Sequence, residues 1–528
     1  MKLVRIAWLG LVTVAAFTYS CRRPQATGEE ARSLLDSLET KLEWLDYRVN
    51  QERWEFYTTG RSDSLDFYQG LYTHVTTDSE TFQQLVLAKR QFSTETDERR
   101  WSLAYSTLLL SQVEAHPEIS RLCDSLSGID IEFRAEFEGA RRTAGYLYQV
   151  YRSDPDRQRR EEAYRASCAV GLELADGLKT LVALRNRQAR KLGYPNYLAM
   201  VFSQENLKEN EYLSLLHQLD SLSGGRYEAI LRKLKTRLGV PNLKPWDLGY
   251  AYVDIATQID RFFPADSQLP FIKRSLKHLG FDLDTLPIYF DLAAREGKSQ
   301  LAYAFPIKPP YDIRVLANVT DGHYSTQVLM HEIGHALHFA GIAETSPFFI
   351  NVYSATWTEA MAQTLAGLLD EQEWLTAYAN VPPKLVDRYK TARQEQDIMY
   401  LRTTLVRLYF EYYAYASPVS DLNELYWGLF EKFMMLSRHE DIKPWAAIIH
   451  YTTHPVYLQH YLFADMIAAE TADYLAKNYG SVVGNAQIGT FLVDNYFRHG
   501  SRYEWRELLE RATHQKLNVK YLLEKLQL

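Results

Sequence analysis

His331-Glu332-Ile333-Gly334-His335 is the segment of this 528-residue chain whose residue types and spacing carry chemistry most directly. On a helix, positions i and i+4 share a face, so His331 and His335 offer two imidazoles to one metal ion. Glu332 stands beside them, placed to take a proton from a water at that metal rather than to bind it. A catalytic zinc site needs a third protein ligand and one open position. The candidate is Glu359, inside Thr356-Trp357-Thr358-Glu359-Ala360-Met361-Ala362-Gln363-Thr364-Leu365. That run reads as a buried helix, and a carboxylate on so apolar a helix is costly unless it is paired or bound to a metal. Glu344 is nearer in sequence but falls in a loop by Pro347, and ranks second. Gln363, one turn after Glu359, either hydrogen-bonds a ligand or simply packs. The chemistry implied is hydrolysis by an activated water, with zinc as the cofactor.

A second dense segment is His450-Tyr451-Thr452-Thr453-His454-Pro455-Val456-Tyr457-Leu458-Gln459-His460-Tyr461. It holds three histidines and three tyrosines in twelve residues. Either these donors serve a reaction centre, or they are semi-buried aromatics of an amphipathic helix.

The elements that must position these groups read as helices. Gln25 to His116 contains no proline, and Ala31 to Leu38 and Leu181 to Leu192 repeat apolar residues three and four apart. Gly60, Asp154-Pro155 and Gly224-Gly225 read as helix stops or turns. Pro241 to Pro270 reads as a turn-rich hinge between lobes. Leu301 to Phe305 and Ile313 to Val319 read as strands forming a small edge sheet, with Pro306, Pro309 and Pro310 between them. Gly334 costs about 1 kcal/mol inside a helix, which predicts that a neighbouring element comes close there. The fold class is therefore mostly α with a minor β-sheet near the zinc helix.

Composition narrows the partners. Lys+Arg 59 against Asp+Glu 66 gives a net charge of −7, which argues against a nucleic-acid binder. The 37 tyrosines line a groove or pack semi-buried. At the N-terminus, Lys2 and Arg5 precede a largely apolar run from Ile6 to Phe17, too short to span a bilayer as a helix, which needs about twenty residues. Residues 1–20 therefore read as a secretory signal. Thr18-Tyr19-Ser20-Cys21 is similar to the lipobox of bacterial lipoproteins, although Thr18 and Tyr19 depart from it. The expectation is a lipidated Cys21, a linker to residue 30, and a peptidase body over 31–528 tethered to the membrane of a bacterial cell envelope. Only Cys123 and Cys168 remain, either as a pair or as buried thiols.

His331-Glu332-Ile333-Gly334-His335 followed by Glu359 resembles the gluzincin metallopeptidases of the angiotensin-converting-enzyme (peptidyl-dipeptidase A) family and their thimet-oligopeptidase and oligoendopeptidase cousins. Asp312-Ile313-Arg314 onward resembles the strand before that family's motif. Leu184-Arg185-Asn186, Ala189-Arg190 and Gly193-Tyr194-Pro195-Asn196-Tyr197 resemble its N-terminal half. Gln363 departs from the aspartate of the converting enzymes. The resemblance implies a two-lobed helical ellipsoid with a deep substrate channel, the lobes meeting near residue 245. It implies a monomer acting on short peptides, with Tyr461 and His450 binding the substrate carbonyl and the oxyanion. Tyr457, or His454 in place of His450, would assist, since the spacing is one residue longer than in the converting enzymes. It also implies peptide binding along Ala302 and Ala304. Ile448 stands where that family has a lysine for the substrate's terminal carboxylate, leaving Lys443, Arg314 and Arg402 as unplaced cations. The competing reading is a helical substrate-binding lipoprotein without catalysis.

Overall fold

The computed structural model describes residues 28–417 and 421–528. The leader and Cys21 lie outside the described residues. The chain is mostly helical, as expected. The N-terminal helix (Gly28–Thr59) runs 32 residues, and the longest helix (Pro383–Ala416) runs 34. Among the described residues no helix is long and apolar enough to cross a membrane. The largest apolar cluster extends from Leu109 to Leu526 and draws on both sides of the expected lobe boundary.

Two local expectations are corrected. Gly224-Gly225 does not stop a helix: both lie within Glu209–Leu238, which ends at Gly239 with φ 64°. Tyr212, Leu216, Leu219, Tyr227, Ile230 and Leu234 bury one face of that helix, and such burial outweighs about 1 kcal/mol per glycine. Pro241 to Pro270 is a series of short helices, Pro245–Leu248, Val253–Asp260 and the first part of Ala265–His278, rather than a turn-rich passage.

Strands are few. β1 (Ala135–Phe137) and β2 (Ala140–Arg142) form a hairpin. β3 (Ile288–Asp291), β4 (Tyr303–Lys308) and β5 (Asp312–Leu316) form a sheet in the order β3-β5-β4. β4 and β5 are the two expected strands, antiparallel, with Ala304 opposite Val315 and Phe305 opposite Arg314. Pro306 lies inside β4 rather than between the strands, and the register shifts between Pro306 and Lys308. An edge strand tolerates this because proline has no N–H to give a neighbour. The parallel neighbour β3 is too short to read from periodicity.

The N-terminal helix braces β4. Tyr47, Trp54 and Tyr57 pack against Phe305, Ile307 and Leu316, and Asn50 Nδ2 donates to the Pro306 carbonyl at 3.1 Å.

Candidate metal centre and active site

The HExxH motif sits mid-way along the helix His323–Ala340. Its start is fixed by backbone and side chain together. The His323 amide donates to Asp260 at 2.9 Å. Gln327 Nε2 and the Tyr389 hydroxyl both donate to Asp370. Glu359 lies on the next long helix, Ala355–Ala366, which Ser354 caps through the Trp357 amide. That helix is buried nearly all round, as its sequence predicts. The two helices touch at Gly334, where a Cβ would stand 2.7 Å from Ala362 Cα. The expected close approach is thus the one that brings Glu359 to the histidines.

His331 Nε2 lies 3.1 Å from His335 Nε2. Glu359 Oε2 lies 3.4 Å from His331 Nε2 and 3.8 Å from His335 Nε2. The two carboxylate oxygens have different surroundings. Oε1 accepts from the Tyr457 hydroxyl at 2.8 Å, whereas Oε2 is buried with no hydrogen bond of normal geometry. A buried oxygen left unpaired beside two imidazole nitrogens fits a cation-binding site. His335 Nδ1 meets Thr358 Oγ1 at 2.9 Å. With Nδ1–H given to that hydroxyl, Nε2 keeps its lone pair for a metal. Among the described residues these three side chains are the one group placed to hold a metal ion. Glu344 is elsewhere, facing Arg502 at 3.4 Å.

The electrostatics agree with this geometry. Burial works to raise the Glu359 carboxyl, but the contact with His331 and the charges of both imidazoles hold it down to about 2. Burial works to lower His331, and Glu359, Glu332 and Asp465 outweigh it. The pull that Glu359 exerts on a proton at His331 is the pull it exerts on any cation among the three atoms. Burial, then the His331 charge, depress His335 to about 4. Glu332 is buried beside the ligands without joining them. Burial pushes its carboxyl up to about 7, opposed by His331 and by a hydrogen bond from the Ala304 amide of β4. That bond places the open edge of β4 at Ala304 against Glu332. Ala302 lies just before the strand.

The segment 450–461 folds back over this centre. It divides into a short helix, Ile449–Thr453, a turn, and the helix Gln459–Tyr479. The Tyr461 hydroxyl lies 3.4 Å from His450 Nε2. Burial, then His454 and Arg407, lower His450 to about 4, so its ring is neutral at neutral pH. Burial and then the Glu359 charge push the Tyr461 hydroxyl up, so it stays a donor. His454 is exposed, its Nδ1 meeting Thr453 Oγ1 at 2.8 Å, whereas His450 meets Tyr461. His460 is buried, with Nδ1 2.7 Å from Thr356 Oγ1, pinning its helix to the glutamate helix. Arg185 is fully buried and donates to the Tyr451 and Thr452 carbonyls at 2.9 and 2.7 Å. It thereby fastens the end of the short helix.

Three residues escaped sequence reasoning. Thr358 meets His335, but a threonine next to a ligand has no signature. Tyr400, on the longest helix and 49% exposed, lies near Tyr461 and Glu359. Glu411, on the same helix, accepts from the Val456 amide at 2.6 Å. Val456 has φ 56°, in the left-handed region. For a β-branched residue such a backbone stores about 1–3 kcal/mol of strain. Cys123 and Cys168 are free thiols, each pushed up to about 11 by burial.

Known proteins resemble this chain in sequence and in fold. The group B oligopeptidase PepB of Streptococcus agalactiae serotype III (strain NEM316) is 26% identical over 352 residues, 61% of this chain and 55% of that protein. The match thus spans little more than half of the relative's length. A solved structure designated oligoendopeptidase F superposes with a TM-score of 0.71 at 15% identity, covering 96% of this chain and 97% of that one. PZ peptidase A with an inhibitor gives 0.70 at 15% identity over the same shares. These two likenesses establish the fold. The sequence profile of peptidase family M3 matches residues 150–269 and 284–528, more than half of the chain, so this protein belongs to peptidase family M3.

Proposed function

We propose that this protein hydrolyses peptide bonds in short peptides, using a zinc ion held by His331, His335 and Glu359. The observation that carries the reading is the unpaired, buried Glu359 Oε2 facing two imidazole nitrogens, with Glu332 alongside. Two nitrogens and one carboxylate form a common catalytic zinc set. When bound, zinc supplies a Lewis acid that polarises the attacking water and the scissile carbonyl.

The chain's own residues do the rest. Glu332 takes the water proton and passes it to the leaving amine. Tyr461 donates to the developing oxyanion, a contribution of about 3–4 kcal/mol in comparable sites. Neutral His450 orients that hydroxyl, and Tyr457 holds the far oxygen of Glu359. Peptide backbone docks on the open edge at Ala302 and Ala304 by strand addition.

Relaxed oligopeptidase specificity fits better than strict release of C-terminal dipeptides. Arg314 is bonded to Asp312, and Arg402 is buried on Asp220 and the Phe433 carbonyl. Lys443 reaches His450 only if the chain between them is one continuous helix. Instead a 3-10 turn, Pro444–Ala447, and an extended Ile448 separate them.

Location at the cell envelope rests on Lys2 to Cys21 alone. Metabolic labelling with a fatty acid, and its loss on replacing Cys21, tests the anchor. The catalytic reading is tested by metal analysis of protein never exposed to chelator, and by mass spectrometry of a peptide library after incubation. The expected result is one zinc per chain and internal cuts in short peptides. Intact peptides together with a substoichiometric metal content overturn it.

A further inference from the structure

We propose that Glu411 is a positioning residue, a clamp that holds Tyr457 against Glu359 through the backbone of Val456; this deepens the zinc-peptidase reading and rests on it. The turn from Thr453 to Leu458 carries Tyr457, whose hydroxyl donates to Glu359 Oε1 at 2.8 Å. The residue before it, Val456, is 2% exposed and has φ 56°. L-residues avoid this region, and β-branched ones avoid it most. Such a conformation persists only where its surroundings over-determine it.

Two bonds do so here. The Val456 carbonyl accepts from Gln459 Nε2 at 2.6 Å, a contact local to the turn. The Val456 amide donates to Glu411 Oε1 at 2.6 Å across 45 residues of sequence. Among the described residues, this second bond is the one that ties the backbone of 454–458 to an element outside 449–479; the others, His454 amide to His450 carbonyl and His460 amide to Tyr457 carbonyl, stay within the flanking helices. Upstream, Arg185 anchors the Tyr451 and Thr452 carbonyls. Downstream, the helix from Gln459 begins. Without the carboxyl, the amide is buried and unpaired, and the strained torsion keeps only the local Gln459 bond to balance it. Relaxation to negative φ rotates the next peptide and carries the Tyr457 ring off Glu359. Glu411 touches neither metal nor substrate, so its effect passes entirely through this turn.

Two substitutions separate this role from general packing. In Glu411→Gln the amide oxygen still accepts from the Val456 amide. In Glu411→Ala nothing does, but a glycine at 456 takes positive φ freely. Zinc-loaded full-length protein is compared as wild type, Glu411→Ala, Glu411→Gln, and Glu411→Ala combined with Val456→Gly. Glu411→Ala is expected to lose kcat by about tenfold or more with KM changed less than about threefold, and to release zinc to a competing chelator about tenfold faster. Glu411→Gln should stay within about threefold of wild type, and Val456→Gly should restore most of what Glu411→Ala loses.

Wild-type kcat and zinc retention in Glu411→Ala overturn the clamp. So does a defect that Val456→Gly leaves untouched. If Glu411→Ala does not fold, the double variant decides, since the clamp requires that glycine restore folding. If wild type itself cleaves no peptide and holds no zinc, the catalytic reading fails separately. Limited proteolysis of chelator-treated protein then still reads the clamp: cutting within 453–458 should accelerate in Glu411→Ala and not in Glu411→Gln, and equal rates overturn it.

Discussion

At the scale of single residues, the proposed site divides between groups that would hold a metal and groups that would act beside it. Glu332 belongs to the second class: its carboxyl meets the Ala304 amide, and it stands outside the three-atom cluster. Glu332→Ala should therefore keep stoichiometric zinc while peptide hydrolysis falls by about a thousandfold or more. Loss of the metal from that variant, by elemental analysis, would contradict the assignment. His460 bears on a different property. It stands just before Tyr461 and is buried against Thr356, with its pKa lowered by that burial. A neutral imidazole is a poor anion partner, so hydrolysis should depend weakly on chloride. A several-fold rise in rate on replacing another anion by chloride at constant ionic strength would point to another site. That His331, His335 and Glu359 meet was legible, because the histidine spacing follows from helix geometry and a lone carboxylate in an apolar helix is costly. Glu411 and Thr358 were not, because what matters about each is a partner 45 or 23 residues away.

At the scale of elements, the candidate metal centre is a property of how two helices meet. Adding a methyl at Gly334 gains about 1 kcal/mol of helix propensity. It also drives a carbon to within 2.7 Å of the Ala362 backbone, an overpacking that costs about 1–3 kcal/mol. Gly334→Ala should thus be net destabilising and should weaken zinc binding, both visible in thermal unfolding with and without the metal. A rise in melting temperature would show that the helices yield. One turn further along the same helix, His338 is buried with neither nitrogen bonded. Burial depresses it to about 3. Between that value and the ordinary 6.5 the unfolded chain binds a proton that the folded chain refuses. Its contribution therefore reduces stability as pH falls from about 6.5 towards 3, by up to about 1.4 kcal/mol per pH unit. His338→Leu should flatten the fall in urea midpoint between pH 7 and pH 5, and an unchanged slope would exclude His338 as its source. The helical class and the β4–β5 pair were readable from periodicity. The Gly224-Gly225 helix was misread because local propensity is weaker than the packing of its buried face.

At the scale of the whole molecule, the question is which peptides fit. The three cations left unplaced by the sequence are bonded elsewhere or cut off from His450 by the chain's path, so a free terminal carboxylate gains nothing from them. A short peptide and its C-terminally amidated twin should be cleaved at rates within about threefold. A strong preference for the free acid would implicate Arg407, whose charge reaches His450. The peptidase family was legible through the motif and not through composition, which argues against nucleic acid but selects no peptide.

The open side of β4 also bears on how the protein avoids itself. Exposed strand edges are where sheets of separate molecules join, and long flat ones seed aggregation. Here the open stretch ends at Pro306, which has no N–H to offer and whose carbonyl is already taken by Asn50, and the register breaks just beyond it. What remains is too short and too interrupted for a growing fibril to continue on. The proline that makes β4 an irregular strand thus keeps an unpaired edge from becoming a template for the molecule's own kind.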